Sequence, residues 1–290
     1  MICLHDDDYP KLLAKIPDPP ARLWVRGKID PAAPCIAIVG TRSSTRYGEQ
    51  VARQLARDLA ARGACIVSGL ARGIDAAAHR GALEAGGQTI AVLGCGLDVV
   101  YPPEHGELAR EVAAQGALVS EYPPDRSPGR YTFVQRNRII AGLSAITVVV
   151  ESPLDGGAMT TADFACEQGR TVGAVPGRID QPSSAGCLQL LKEGAAIVTC
   201  ADDLFAELGF ATVAVDLNVG TVIAPIRSAR GLASGEDERR VLAALAGGDH
   251  LSLDQIVERC GLLPARASAA VMMLELKGAI SKRPDGCYEA

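Results

Sequence analysis

The sequence predicts an α/β protein with a doubly wound, mainly parallel sheet, followed by a small C-terminal module. Short apolar segments alternate with segments of helical periodicity, which is typical of a parallel sheet with helices on both faces. Each apolar segment is continuously apolar, as expected for a strand buried on both faces. The seven predicted strands are residues 35–40, 64–69, 89–94, 117–122, 145–151, 171–177 and 195–199.

The segments around these strands divide the chain into four parts. Residues 1–34 are rich in proline and are predicted to be an irregular lead-in to the sheet domain of residues 35–210. Between the first two strands, residues 48–63 have helical spacing and end at a glycine, a common C-cap. Residues 211–234 are predicted to be a linker, with residues 212–219 as a candidate edge strand.

Residues 235–290 have the pattern of a winged-helix module. A first helix is predicted at 236–247, and Ser252 with Gln255 forms a capping box that starts a second. A third helix is predicted to begin near Pro264, and residues 280–289 have the pattern of a hairpin.

The composition of the chain argues against several classes of protein, among them secreted, membrane-spanning and zinc-binding proteins. The chain has 290 residues, of which 48% are hydrophobic and 22% charged, so we expect a packed core. Its nine cysteines form no CxxC pair and its four histidines are scattered, which predicts reduced thiols, a cytoplasmic protein and no structural zinc. With no long apolar run and an acidic start, neither secretion nor membrane spanning is expected.

The charge is unevenly distributed. The net charge is -5, yet residues 35–150 contain 12 arginines and 10 acidic residues, a local net of +2. Residues 235–290 contain 7 basic and 9 acidic residues, a net of -2. A local cluster of arginines can bind phosphates whatever the overall charge.

Glycines, hydroxyls and arginines follow the predicted strands, at the edge of the sheet where ligands of such folds bind. Backbone N–H groups, hydroxyls and guanidinium groups together predict an anion-binding site. No GxGxxG, GxxxxGK[ST] or GxSxG motif is present. Asp75 and His79 are spaced as a candidate catalytic pair, although a structural hydrogen bond is the commoner role. The arginines of this edge are Arg42, Arg72, Arg136 and Arg138.

Six ordered segments resemble the bacterial DNA processing protein A family (DprA/Smf): residues 37–48, 67–79, 91–105, 136–144, 160–170 and 174–180. The resemblance implies an extended Rossmann-like domain that binds single-stranded DNA without catalysis and without a cofactor. It also implies a homodimer that loads the recombinase RecA during natural transformation and DNA recombination. Carried over to this chain, with Arg72, Phe133 and Gln135 added, the DNA-binding residues are Gly40, Thr41, Arg42, Ser43, Arg72, Phe133, Gln135, Arg136, Asn137, Arg138, Gly156, Gly157 and Thr161.

The chain departs from the family pattern in three ways. Gln135 and Asp155 stand where a basic residue is common, which predicts weaker phosphate binding unless Arg126 and Arg130 compensate. Because the given sequence starts close to the sheet domain, we expect it to lack the helical N-terminal domain of many members. Apart from these departures, Tyr131, two positions before Phe133, is a second candidate for base stacking.

A rival interpretation is a nucleoside-monophosphate phosphoribohydrolase of the same fold superfamily. The stretch 155–163 keeps two glycines and a threonine of that signature, but Asp163 replaces its catalytic glutamate. For the winged-helix module, the net acidic charge favours a protein contact over duplex binding.

Overall fold

The computed structural model describes residues 1–30, 33–215, 236–245, 251–276, 280–282 and 288–289. The chain divides into two compact units, residues 1–217 and 218–290. Each unit has its own hydrophobic core, and each is described by itself below.

The described part of the first unit contains a nine-stranded sheet in the order β1-β2-β6-β5-β4-β3-β7-β8-β9. Strands β3 to β9 are parallel, and they confirm the seven predicted strands. The strands are β1 Ile2–Cys3, β2 Arg22–Gly27, β3 Cys35–Val39, β4 Cys65–Ser68, β5 Thr89–Val92, β6 Ala117–Ser120, β7 Ile146–Val149, β8 Thr171–Ala174 and β9 Ala196–Ile197.

Helices connect the parallel strands. The first begins two residues before the prediction, where the Thr45 hydroxyl caps the helix by accepting from the Gly48 N–H. The helices are α1 Arg46–Ala60, α2 Ile74–Glu84, α3 Gly106–Gln115, α4 Arg130–Leu143, α5 Gly157–Glu167, α6 Ala185–Lys192 and α7 Ala201–Val215.

Successive residues of the central strands pack into different cores, which explains their continuously apolar sequences. Ala37 and Val39 of β3 pack with α4, α5 and α6, whereas Ile36 and Ile38 pack with α1, α2 and α7. The sheet is thus covered on both faces, as predicted.

Two predictions for the ends of this unit are wrong. Residues 1–34 are not irregular, because β2 pairs antiparallel with β6 and in turn carries β1. Leu23 of β2 is fully buried, so this edge gains apolar packing despite the nearby prolines. Residues 212–215 belong to α7 and not to an edge strand, and residues 216–219 lie outside the described residues.

The second unit confirms the predicted winged-helix pattern. The Ser252–Gln255 capping box is present, and Gly261 ends the second helix with a φ of 65°. The middle of the predicted hairpin, residues 283–287, lies outside the described residues. The elements are α8 Glu236–Leu245, α9 Leu253–Cys260, α10 Pro264–Leu276, β10 Ser281–Lys282 and β11 Tyr288–Glu289.

Among the helices that the structure describes, none is both long enough and apolar enough to cross a membrane.

Candidate nucleic-acid interface

A cleft of about 610 Å³ opens at the carboxyl ends of the central strands. It lies where the strand order reverses, because β4, β5 and β6 extend from one side of β3 and β7, β8 and β9 from the other. Its walls are the loops after β3 and β7 and the first turns of α4 and α5. The lining residues are Val39, Gly40, Thr41, Arg42, Ala71, Asp75, Tyr101, Pro128, Gly129, Arg130, Phe133, Val134, Arg136, Asn137, Ile140, Gly156, Gly157, Ala158 and Thr161.

The loop after β3 is held against β7. The Thr41 N–H donates to the Glu151 carbonyl oxygen at 2.7 Å, and the buried Glu151 carboxylate accepts from the Thr45 N–H at 2.8 Å. A Cβ at position 40 would lie 2.5 Å from Ile74 and 2.8 Å from the Glu151 oxygen. Only glycine fits there, which leaves Arg42 projecting from a fixed backbone.

Arg136 forms the floor of the cleft. Its side chain comes from α4 and is 3% exposed, and its guanidinium group donates to the carbonyl oxygens of Gly69 and Val92. Burial lowers the pKa of Arg136 to about 10, although the nearby Asp75 carboxylate opposes that shift. Arg136 thus ties the ends of β4 and β5 together while presenting positive charge to the cleft.

An aromatic pair stands beside this charge. The ring centres of Tyr101 and Phe133 are 5.3 Å apart. The guanidinium carbons of Arg42 and Arg136 lie 5.2 and 5.9 Å from the centre of the Phe133 ring, within cation–π range. A Cβ at Gly94 would lie 2.6 Å from Phe133, so this glycine makes room for the ring.

The opposite wall is the start of α5. The Asn137 side-chain amide donates to the Gly157 carbonyl oxygen at 3.2 Å, which links α4 to this wall. Apart from its chain neighbours and its own helix backbone, no heavy atom of the described residues lies within 4 Å of a Cβ placed on Gly157, so the wall is open to a ligand there. The first N–H groups of a helix lack intrahelical partners and favour anions.

The charge of the cleft is mainly positive. Arg42, Arg130 and Arg136 line it, and Asp75 is the carboxyl among its described lining residues. Burial raises the pKa of Asp75, and the neighbouring Arg136 opposes that shift. Within the described part of the chain, neither Arg42 nor Arg130 makes an ion pair. Such cations remain free to contact phosphates.

Four of the predicted DNA-binding residues do not line the cleft. Arg138 lies two positions from Arg136 on α4, about 200° around the helix, and pairs with Asp18 at 3.1 Å and Glu121 at 2.7 Å. Arg72 is exposed and paired with Glu104. The other two are the exposed Ser43 and the half-buried Gln135.

The other residues singled out from the sequence lie either in the lining of the cleft or outside it. The cleft is lined by the other nine predicted residues, which are Gly40, Thr41, Arg42, Phe133, Arg136, Asn137, Gly156, Gly157 and Thr161. Tyr131 is 72% exposed and outside it. Asp155 is exposed and also outside the lining.

Asp75 and His79 do not form a hydrogen-bonded pair in the described structure. Asp75 accepts from the Ala71 N–H at 3.3 Å, whereas His79 is hydrogen-bonded through Nδ1 to the Thr89 hydroxyl at 2.7 Å. Both side chains are buried, and burial lowers the pKa of His79 to about 3. Asp75 and His79 therefore each have a structural hydrogen bond of their own and do not form the candidate catalytic pair.

Sequence reasoning missed Tyr101 as part of the site. It lies in a loop after β5, far from α4 in the chain, and the contact of its ring with the Phe133 ring, at an interplanar angle of 41°, is long-range. Its position after a strand, next to two prolines, is the signal that could have nominated it.

Residues 1–209 match the family model of DNA recombination-mediator protein A, and residues 227–286 match that of the DprA winged helix domain. The chain belongs to the DprA family.

Three named relatives match this DprA-family chain at 40–42% identity. It is 40% identical to the Smf protein of Escherichia coli, covering 99% of this chain and 76% of that one. It is 41% identical to the DNA processing protein DprA of Bacillus subtilis, covering 71% and 70%. It is 42% identical to a DprA protein of Mycobacterium tuberculosis, covering 89% of this chain and only 66% of that one.

Two solved DprA structures support the fold. DprA of Streptococcus pneumoniae has 40% sequence identity and a TM-score of 0.68, covering 71% of this chain and 73% of that one. DNA processing protein A of Helicobacter pylori, whose structure concerns its single-stranded DNA binding mode, has 31% identity and a TM-score of 0.61. The match covers 74% of this chain and 98% of that one. The Rossmann-like fold is thereby confirmed.

Proposed function

We propose that the protein binds single-stranded DNA in this cleft without regard to sequence. The observation that carries the proposal is the pairing of Arg42, which has no ion pair in the described structure, with the Phe133 ring. A guanidinium group contacts a phosphate by charged hydrogen bonds, and a ring stacks on any base. Neither contact reads a base edge, so neither favours a sequence.

The shape of the cleft supports single strands over duplexes. The Phe133 ring is half-buried between Gly94 and the arginines, and only an unpaired base presents a face to it. The DNA-binding mode described for the Helicobacter pylori relative supports the same substrate class.

The experiment compares a labelled thymidine homopolymer with a duplex of equal length at two salt concentrations. We expect tighter binding of the single strand and weaker binding at higher salt. Arg42→Ala should weaken binding by about 1–3 kcal/mol and reduce the salt slope by about 0.7. Arg80→Ala, which removes an exposed arginine outside the cleft, is the matched control. Equal affinity for both DNA forms would contradict the proposal.

The proposed function involves no bond breaking. Asp163, the candidate acid of the phosphoribohydrolase alternative, is exposed and does not line the cleft. Asp75 does line it, but this carboxyl is buried and its pKa is raised. Incubation with AMP should release no adenine, and release of adenine would favour the enzyme.

We further propose that the protein acts in the cytoplasm as a homodimer that loads RecA on single strands during natural transformation and DNA recombination. Family membership supports this step. RecA filaments should assemble faster on single strands that carry the protein, and light scattering should give twice the mass of one chain. The mass of a single chain would contradict the proposed homodimer, and an unchanged rate of filament assembly would contradict RecA loading.

For the winged-helix unit we propose a protein contact. Arg266 of α10 is paired with Asp237 at 2.7 Å, while Met272 and Met273 of the same helix are exposed. An apolar, charge-paired helix surface suits a protein better than a phosphate backbone. Deleting residues 235–290 should therefore leave duplex affinity unchanged.

A further inference from the structure

Two cysteines lie side by side on the central strands of the sheet. Cys35 begins β3, Cys65 begins β4, and the two residues are direct partners in the parallel ladder. Neighbouring strands are about 4.8 Å apart, within the roughly 4.4–6.8 Å α-carbon separation that disulfides require. Both side chains pack in the same core, on the face covered by α4.

The two thiols are free and differ in their surroundings. Cys65 is 2% exposed, whereas Cys35 is only half-buried, so a small reagent reaches Cys35 first. The Cys35 thiol donates to the Ala33 carbonyl oxygen at 3.7 Å, and the neighbouring Cys65 thiol lowers the pKa of Cys35. The neighbouring Cys35 thiol and burial raise the pKa of Cys65.

We propose that Cys35 and Cys65 form an oxidation site that a peroxide converts to an intrachain disulfide. The Cys35 thiolate attacks one peroxide oxygen and becomes a sulfenic acid, and the other oxygen leaves as water after taking a proton. The Cys65 sulfur then attacks the sulfenic sulfur of Cys35 and expels its oxygen as a second water molecule. In total, two thiols and one hydrogen peroxide give one disulfide and two waters.

The bond would join the amino ends of two strands whose carboxyl ends carry the cleft. Gly40 and Arg42 follow β3, and Gly69 follows β4, at the opposite edge of the sheet from both cysteines. The disulfide would thus fix the pairing of β3 with β4 without entering the cleft. We expect a higher Tm for the oxidised chain and unchanged affinity for single-stranded DNA.

The test treats the full chain with hydrogen peroxide, blocks the remaining thiols with iodoacetamide and maps the peptides by mass spectrometry. The expected product is a peptide that joins Cys35 to Cys65, lighter by two hydrogens than the sum of its parts. The product should disappear on reduction and in Cys65→Ala. Cys187→Ala removes another buried thiol of the same core and should retain the product.

The result does not depend on either variant folding, because the peptide map of the wild-type chain answers the question. Recovery of Cys35 and Cys65 as separately alkylated thiols would overturn the proposal. So would oxidation of Cys35 to sulfinic acid without a bond to Cys65, or a bond from Cys35 to any other cysteine. The readout is a mass, so it is independent of whether the chain binds DNA.

Discussion

The guanidinium carbon of Arg42 lies 5.2 Å from the centre of the Phe133 ring, although the two residues are 91 positions apart in the chain. One comes from the loop after β3 and the other from the first turn of α4. The contact places a phosphate-binding group beside a base-stacking group. Sequence-independent binding needs this combination in one place.

We expect Phe133→Leu to weaken binding of single-stranded DNA by about 1–3 kcal/mol, the usual value of one stacked base. Leucine keeps the apolar contact with Gly94 but offers no aromatic face to a base. Fluorescence anisotropy with a labelled homopolymer measures the loss. Tyr131→Leu is the control, since Tyr131 lies on the same helix but outside the cleft. Equal losses in the two variants would argue against stacking on Phe133.

Arg136→Lys should reduce both stability and affinity. Both hydrogen bonds to the Gly69 and Val92 carbonyl oxygens are donated by Nη1 of Arg136, and the lysine side chain ends one bond short of that atom. Leaving such buried acceptors unpaired costs about 1–3 kcal/mol. Urea unfolding measures the free energy, and anisotropy measures binding by the folded variant.

Arg42→Ala provides the comparison for that experiment. Arg42 is exposed and makes no ion pair in the described structure, so its removal should lower affinity with little change in unfolding free energy. If Arg136→Lys, like Arg42→Ala, loses affinity without a change in unfolding free energy, the structural role assigned to Arg136 is wrong.

The fold could be predicted from sequence because its strands are buried on both faces. Residues such as Ile36 and Ala37 pack into opposite cores, and this leaves a continuously apolar run that is easy to recognise. The position of the cleft followed from the rule that ligands bind at the carboxyl ends of parallel strands. β2 was not predicted because the proline-rich sequence around it is typical of a loop. It is a strand because it pairs with β6, a contact that the sequence does not show.

The choice among arginines could be predicted only in part. Arg136 and Arg138 are two positions apart on α4, so helix geometry alone puts them on different faces. The sequence does not say which one faces the cleft, because Arg138 finds its partners at Asp18 and Glu121, in distant segments. Such long-range ion pairs decide whether an arginine is available to DNA.

Arg138→Ala should lower stability and leave DNA affinity unchanged. Removing the guanidinium group leaves the mostly buried Glu121 carboxylate without this ion-pair partner. The Asp18 side chain is 77% exposed and remains solvated. Breaking a buried pair costs about 3–5 kcal/mol, and we expect less here because Asp18 is exposed. Urea unfolding and anisotropy, measured on the same preparation, separate the two effects. A loss of affinity at full stability would restore Arg138 to the DNA site.

The stability of the first unit should fall as the pH drops below about 6.5, the ordinary pKa of histidine. Burial lowers the pKa of His79 to about 3 in the folded chain, so the unfolded chain binds a proton that the folded chain does not. The contribution of His79 is complete above pH 6.5 and is lost as the pH falls towards 3. Its slope approaches about 1.4 kcal/mol per pH unit.

His79→Gln isolates this contribution. Glutamine does not titrate, and its amide can still donate to the Thr89 hydroxyl. Burial raises the pKa of Asp75, whose contribution is present at low pH and lost as the pH rises, but wild type and variant share it. Urea unfolding between pH 7 and pH 4, values chosen around the histidine range, should therefore show a steeper decline for wild type. Parallel curves would mean that His79 is protonated in the folded chain.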